Sequence, residues 1–185
     1  MKAASLPMRA LVVHESMFGN TEQVAKAVAR GLSQAGADVT AVEVQQAPAV
    51  LPDTYDLLVV GAPTHAFSLS RPATRADAVR QGAPAERGST GLREWLASVE
   101  CHDDLRLAVF DTRISKVRRL PMAAGPRAAK LGRHRGLTLA AKPAAFLVGD
   151  VQGPLLAGEL DRAAAWGRKL AGVGIHRSIG RGTPA

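Results

Sequence analysis

The sequence predicts a three-layer α/β fold built on a parallel sheet, and three observations carry the prediction. Short apolar, β-branched runs recur along the chain, at residues 8–14 (MRALVVH), 37–44, 56–61 (DLLVVG) and 105–110. Runs that short and that apolar suit strands buried on both faces. Between the first two runs the period changes to that of a helix, and strand, helix, strand at this spacing is a right-handed βαβ crossover. Layers of helix must then cover both faces of the sheet.

The elements follow in order. Residues 8–14 form strand one and end in a polar loop. Val24, Val28 and Leu32 recur at i, i+4 and i+8 with Ala25 and Ala29 beside them, so residues 21–35 read as a helix with one apolar face, and Gly36 stands where a C′ glycine ends it. Residues 37–44 and 56–61 are strands two and three. Residues 63–88 show no clear period and read as a surface excursion. Leu92, Trp95, Leu96 and Val99 give the next helix, started by Ser89 or Thr90, with Trp95 in the core, and residues 105–110 give strand four. A weaker helix spans 123–133. Strand five spans 137–148 and is interrupted by Pro143, and a last helix runs over 158–170. The domain is expected over 8–172, with flexible ends at 1–7 and 173–185.

Composition removes several classes of function. Of 185 residues, 46% are hydrophobic and 22% charged, which excludes a disordered chain. No apolar run approaches the roughly 20 residues of a membrane span, and the first residues lack the apolar stretch of a secretory signal, so a cytoplasmic chain is expected. Cys101 is the single cysteine, which excludes a disulfide framework. His14, His102, His134 and His176 share no metal-binding spacing with one another, and no Gly-x-Ser-x-Gly elbow accompanies them.

Chemistry belongs at the carboxyl ends of the strands, where open parallel sheets bind ligands. The loop Glu15-Ser16-Met17-Phe18-Gly19-Asn20-Thr21 joins strand one to the N-terminus of a helix. Its hydroxyls, its amide and the unpaired N–H groups of the helix end make a phosphate cradle. It lacks the Lys of a Walker A loop, the three glycines of a dinucleotide fingerprint and the Cys of a thiol phosphatase. With no Lys or Arg of its own, it holds a phosphate by neutral donors, Ser16 and Thr21 foremost. Helix capping by Asn20 or Thr21 is the competing use of the same residues. A second loop, Gly61-Ala62-Pro63-Thr64-His65-Ala66-Phe67, leaves strand three on the same edge.

With both loops in view, the chain resembles the flavodoxin family. The family's phosphate loop usually reads Thr/Ser-x-Thr-x-x-Thr, and Ser16, Gly19, Asn20 and Thr21 fall onto that pattern, with Met17 in place of the usual Thr. A Gly-x-Pro-Thr turn after strand three, Phe110 to Arg113 after strand four, and Gly153 to Gly167 at the last helix look like flavodoxin-domain proteins of the less studied bacterial type. The resemblance implies a five-stranded sheet in order 2-1-3-4-5, non-covalent FMN at the switch point between strands one and three, and electron transfer through the flavin. The cofactor-binding residues it implies are Ser16, Met17, Phe18, Gly19, Asn20 and Thr21 at the phosphate, and Pro63, Thr64, His65 and Phe67 with Asp111, Thr112 and Arg113 around the ring. No residue is assigned a catalytic role, because the cofactor carries the redox chemistry.

Two features depart from the family pattern. The second loop offers His65 and Phe67 where well-characterised flavodoxins offer Trp, and the third offers Asp111, Thr112 and Arg113 where they offer Tyr. The chain is also basic, at +8, whereas the familiar flavodoxins are acidic. From Thr112 to Gly149 there are nine Lys/Arg and no carboxylate: Arg113, Lys116, Arg118, Arg119, Arg127, Lys130, Arg133, Arg135 and Lys142. Such a run is either a solvated face or a docking face for an acidic redox partner. From Arg113 to Lys142 it has no aromatic residue to stack a base, so no nucleic acid is expected. A flavodoxin fold with weakened or lost FMN binding, acting as an interaction module through that face, is the alternative. A flavin-dependent enzyme acting on a quinone or porphyrin-like substrate, with residues 63–88 as its lid, is the third reading.

Overall fold

A computed structural model describes residues 6–117 and 122–173. The expected flexible ends fall almost wholly outside that range. Strand β1 (Arg9–His14) leads to helix α1 (Asn20–Gln34), then β2 (Asp38–Glu43) and β3 (Leu57–Pro63). Helices α2 (Pro72–Arg80) and α3 (Leu92–Ser98) precede β4 (Arg106–Ile114). Helix α4 (Ala124–His134), short β5 (Thr138–Leu139), β6 (Ala144–Val148) and α5 (Glu159–Ala171) complete the chain. All the strand pairs are parallel, in order β2-β1-β3-β4-β5, with β6 also on β4. The fold is flavodoxin-like. Strand five of the 2-1-3-4-5 order is present in two pieces, β5 and β6, both paired along β4 and separated by the segment that holds Pro143, which has no N–H for the ladder.

Alternate residues of the strands feed two cores. Leu11, Val13, Leu58, Val60, Leu107 and Val109 pack under α3 and α4, whereas Ala10, Val12, Val59, Ala108 and Phe110 pack under α1 and α5. Helix α1 crosses α5 through glycines: a Cβ on Gly31 would collide with the Ala164 carbonyl, and one on Gly167 with the Val28 carbonyl.

Two stretches differ from the sequence expectation. Residues 63–88 contain α2 and a 3-10 turn at Ala85–Gly88. Helix α2 has no apolar stripe because the residues it buries are Ala78 and Arg75, the latter paired with Glu94 at 3.2 Å. Strand β4 continues through Asp111, Thr112 and Arg113 to Ile114, so the expected third loop is strand. Pairing on both sides keeps it extended: Asp111 stands opposite Ala62 and Ala145, and Thr112 opposite Pro63 and Phe146.

Candidate functional site

At the carboxyl ends of β1, β3 and β4 lies a cleft of about 310 Å³, mostly apolar, at the lower end of the range for small-molecule sites. One end of it is the turn after β1, where the sequence predicted a phosphate cradle. Gly19 adopts φ +88, which a side chain would resist, and this sets the chain into α1. The Ser16 hydroxyl oxygen accepts the Gly19 N–H at 3.1 Å and the Glu22 N–H at 3.2 Å, which leaves its own proton to donate. Asn20 and Thr21 begin the helix, where the i−4 ladder has not started and N–H groups face outward. The Thr21 hydroxyl shares a 2.7 Å hydrogen bond with that of Thr112, and the pair retains one proton for another acceptor.

Other residues of this loop are committed elsewhere. The Asn20 amide donates to the Gln152 carbonyl at 3.0 Å and so fastens the loop after β6 over the helix end. Met17 is buried against Ala78 and Ala83, with Phe18 and Val79 beside it, so its side chain joins the loop to α2.

Arg87 braces the back of the turn. Its guanidinium donates to the Ser16 carbonyl at 3.2 Å and pairs with Glu22 at 2.7 Å and Glu43 at 3.0 Å. His14 completes that cluster, with ligand atoms of His14, Glu22 and Glu43 within 4.8 Å of one another. Arg87 pairs with both carboxylates, and Lys26 pairs with Glu22 at 2.6 Å. His14 is only 4% exposed, neither ring nitrogen meets a hydrogen-bond partner among the described residues, and burial lowers its pKa to about 4. Next to it, burial raises the pKa of Glu15, although the Ser70 hydroxyl, the Leu92 N–H and Arg75 act in the opposite sense. Sequence reasoning missed Arg87 and this cluster, which long-range folding assembles.

The other end of the cleft is a two-residue hairpin. His65 and Ser68 exchange N–H···O bonds of 2.8 and 2.9 Å, with Ala66 at φ 42 and Phe67 at φ 67 between them. Turns with two positive φ values favour Asn-Gly, so Ala-Phe here is strained by on the order of 1 kcal/mol or more per residue. The strain presents the Phe67 ring, 58% exposed, at the cleft wall. His65 is half-buried beside it, and burial lowers its pKa. The Thr64 hydroxyl accepts the Ala124 N–H at 3.1 Å, and its own N–H donates to the Thr112 carbonyl at 2.9 Å.

Of the expected ring-binding trio on β4, Thr112 and Arg113 line the cleft and Asp111 does not. Asp111 is fully buried, accepts the Gly125 N–H at 2.8 Å and the Arg113 Nε–H at 2.6 Å, and has its pKa raised by burial against the lowering effect of Arg113. Arg113 therefore meets the cleft with its charge largely balanced. The basic run also divides. Arg113 belongs to the sheet, Arg118 and Arg119 lie outside the described residues, and Lys130, Arg133 and Arg135 are exposed toward the end of α4. Helix α4 runs antiparallel to β4, which carries that last group toward the sheet edge opposite the cleft.

Comparison with known proteins agrees with this fold. The Flavodoxin family model matches residues 12–77, the stretch holding both loops. The chain is similar to three solved structures in particular. Oxidised flavodoxin 2 from Bacillus cereus is 18% identical, with a TM-score of 0.63, over 89% of this chain and 98% of that one. The flavodoxin of Streptococcus pneumoniae TIGR4 is 20% identical, with a TM-score of 0.61, over 89% and 98%. A flavodoxin from the domain Archaea is 18% identical, with a TM-score of 0.61, over 89% and 97%. No curated protein matches. The fold is that of the flavodoxins, and the Flavodoxin family match is confined to residues 12–77, about a third of the chain. Among the described residues no helix is long and apolar enough to cross a membrane.

Proposed function

We propose that the chain binds FMN non-covalently in this cleft and passes electrons through it. The observation that carries the reading is the convergence, on one cleft, of uncharged donors at a helix N-terminus with an exposed aromatic ring held on strained backbone. The residues suit the group. Ser16 and the N–H groups of Asn20 and Thr21 would hold the phosphate, and the Thr21–Thr112 pair would lend the remaining hydroxyl proton. Phe67 and His65 would face the ring, with Thr112 and Arg113 on the β4 side. Bound flavin supplies one- and two-electron redox chemistry, and the protein's share is to orient the ring, exclude water from one face and set the local charge. An acidic redox partner would dock at the cleft mouth, where Phe67 and, beside the end of β4, Lys116 are exposed.

The alternative, a flavodoxin fold serving as an interaction module without flavin, is favoured by one observation: the Asn20 amide and the Thr21 hydroxyl are already bonded within the chain. Titration of the purified protein with FMN, followed by quenching of flavin fluorescence, decides between them. Saturable binding with riboflavin much weaker supports the proposal. Absence of saturable FMN binding overturns it.

A further inference from the structure

On the far side of the Phe67 hairpin lies a second cavity of about 230 Å³, sharing His65, Ala66, Phe67 and Thr74 with the first. Arg71, Arg93 and Arg127 face it, and among the described residues no carboxylate lines it. None of these three guanidiniums is ion-paired among the described residues. Arg93 donates only to the Ser70 and Leu69 carbonyls, at 3.1 and 2.9 Å, and to the Ser68 hydroxyl at 3.3 Å. The Nε of Arg127 is buried and makes no hydrogen bond. The nearest carboxylate on α3, Glu94, is taken by Arg75. Burial and the charges of Arg71 and Arg127 together lower the pKa of Arg93, with Glu94 and Glu15 acting the other way.

Arg71 is exposed and Arg93 and Arg127 are half-buried, and three guanidiniums converging on one concave wall with no carboxylate lining it among the described residues give that wall a positive potential that draws an anion. Guanidinium forks match the two oxygens of a carboxylate. The remaining wall combines His65, Ser68 and Thr74 with apolar surface, of which Leu69 is buried while Phe67 and Met122 are more than half exposed. The small volume limits the occupant to a compact molecule. We infer that this cavity is a binding site for a small organic carboxylate, its charged end on Arg71, Arg93 and Arg127 and its apolar body against Phe67 and Met122. The site is separate from the FMN phosphate end. It rests on the flavin reading only in that the two cavities share the hairpin as a wall, so an occupant would lie beside the flavin.

Benzoate is the probe, with benzamide as its uncharged isostere, titrated into the full chain by calorimetry. The expected result is saturable benzoate binding, at least tenfold weaker binding of benzamide, and about tenfold loss of benzoate affinity in each of Arg71→Gln and Arg127→Gln. Arg133→Gln, which removes the same charge from exposed α4, should leave benzoate affinity within twofold of wild type. Absence of benzoate binding, or equal losses in all three variants, overturns the site. FMN titration of the same variants separates the two proposals. Benzoate binding without FMN binding leaves the carboxylate site standing and removes the flavin reading. FMN affinity falling in step with benzoate affinity in Arg71→Gln and Arg127→Gln would make the cavity part of the flavin site and overturn its separate assignment.

Discussion

His14 makes the pH dependence of stability a quantitative test of the buried cluster behind the turn after β1. Burial is the largest cause of its lowered pKa; Arg87 and Lys26 add to the lowering and Glu22 opposes it. Glu43 also faces the ring, from β2. With a folded pKa of about 4 against an ordinary 6.5, the unfolded chain binds a proton between those values that the folded chain refuses. The sign follows: His14 leaves stability intact above pH 6.5 and withdraws it as pH falls toward 4. Taking both values, the loss between about pH 7.5 and pH 5.0 is on the order of 2 kcal/mol. Glu15 and Asp111, whose pKa values are raised, push the other way as pH falls, so the slope of the wild-type protein alone is a net quantity. The comparison with His14→Leu cancels them. Urea unfolding of both proteins at the two pH values should show the wild type losing about 2 kcal/mol more than the variant. Parallel behaviour of the two proteins would refute the argument, since it would mean that His14 gains its proton in the folded state as readily as in the unfolded chain.

Further perturbations address the cleft and the frame. Ser16→Ala should weaken FMN roughly 10- to 100-fold and riboflavin much less, in fluorescence titrations, because a hydrogen bond to a charged oxygen is worth about 1.5–3 kcal/mol; equal losses would put the phosphate elsewhere. Phe67→Gly should relieve the positive-φ strain and hold or raise the thermal midpoint while lowering flavin affinity by about three- to tenfold. Arg113→Gln strands the buried Asp111 carboxylate and should cost about 3 kcal/mol or more at neutral pH, with part of the loss recovered on acidification as Asp111 protonates. Gly31→Ala should destabilise by about 1–3 kcal/mol or more in chemical unfolding, since the collision is with backbone and not with a side chain able to turn away.

The frame was legible where hydrophobic period carries it. Val24, Val28 and Leu32 announce α1, DLLVVG announces β3, and Pro143 announces the division of the last strand position. Helix α2 was not legible from period, because its buried positions are Ala78 and Arg75, and a buried arginine looks like surface in a sequence. A local signal existed: Pro72 at the first helical position, with the Thr74 hydroxyl accepting the Arg71 N–H at 2.9 Å. The end of β4 was misread for a similar reason. Asp111 and Arg113 look like loop residues until the chain folds so that each compensates the other's charge. At the candidate site, Ser16 and Gly19 follow from a polar turn before a helix. Nothing local foretells that Arg87, 65 residues from Glu22, braces that turn from behind.

The crossing of α1 and α5 bears on how the molecule can respond to what it binds. Packed helices slide past one another by exchanging side-chain rotamers across their interface. Where Gly31 meets the Ala164 carbonyl and Gly167 the Val28 carbonyl, backbone rests on backbone and there are no rotamers to exchange. The helix that begins at Asn20 is thereby seated on α5 by backbone contact, which holds the turn after β1, at one end of the cleft, in place. Adaptation is left to the opposite end, the strained hairpin at Ala66 and Phe67, so a ligand would meet one fixed end and one adjustable end.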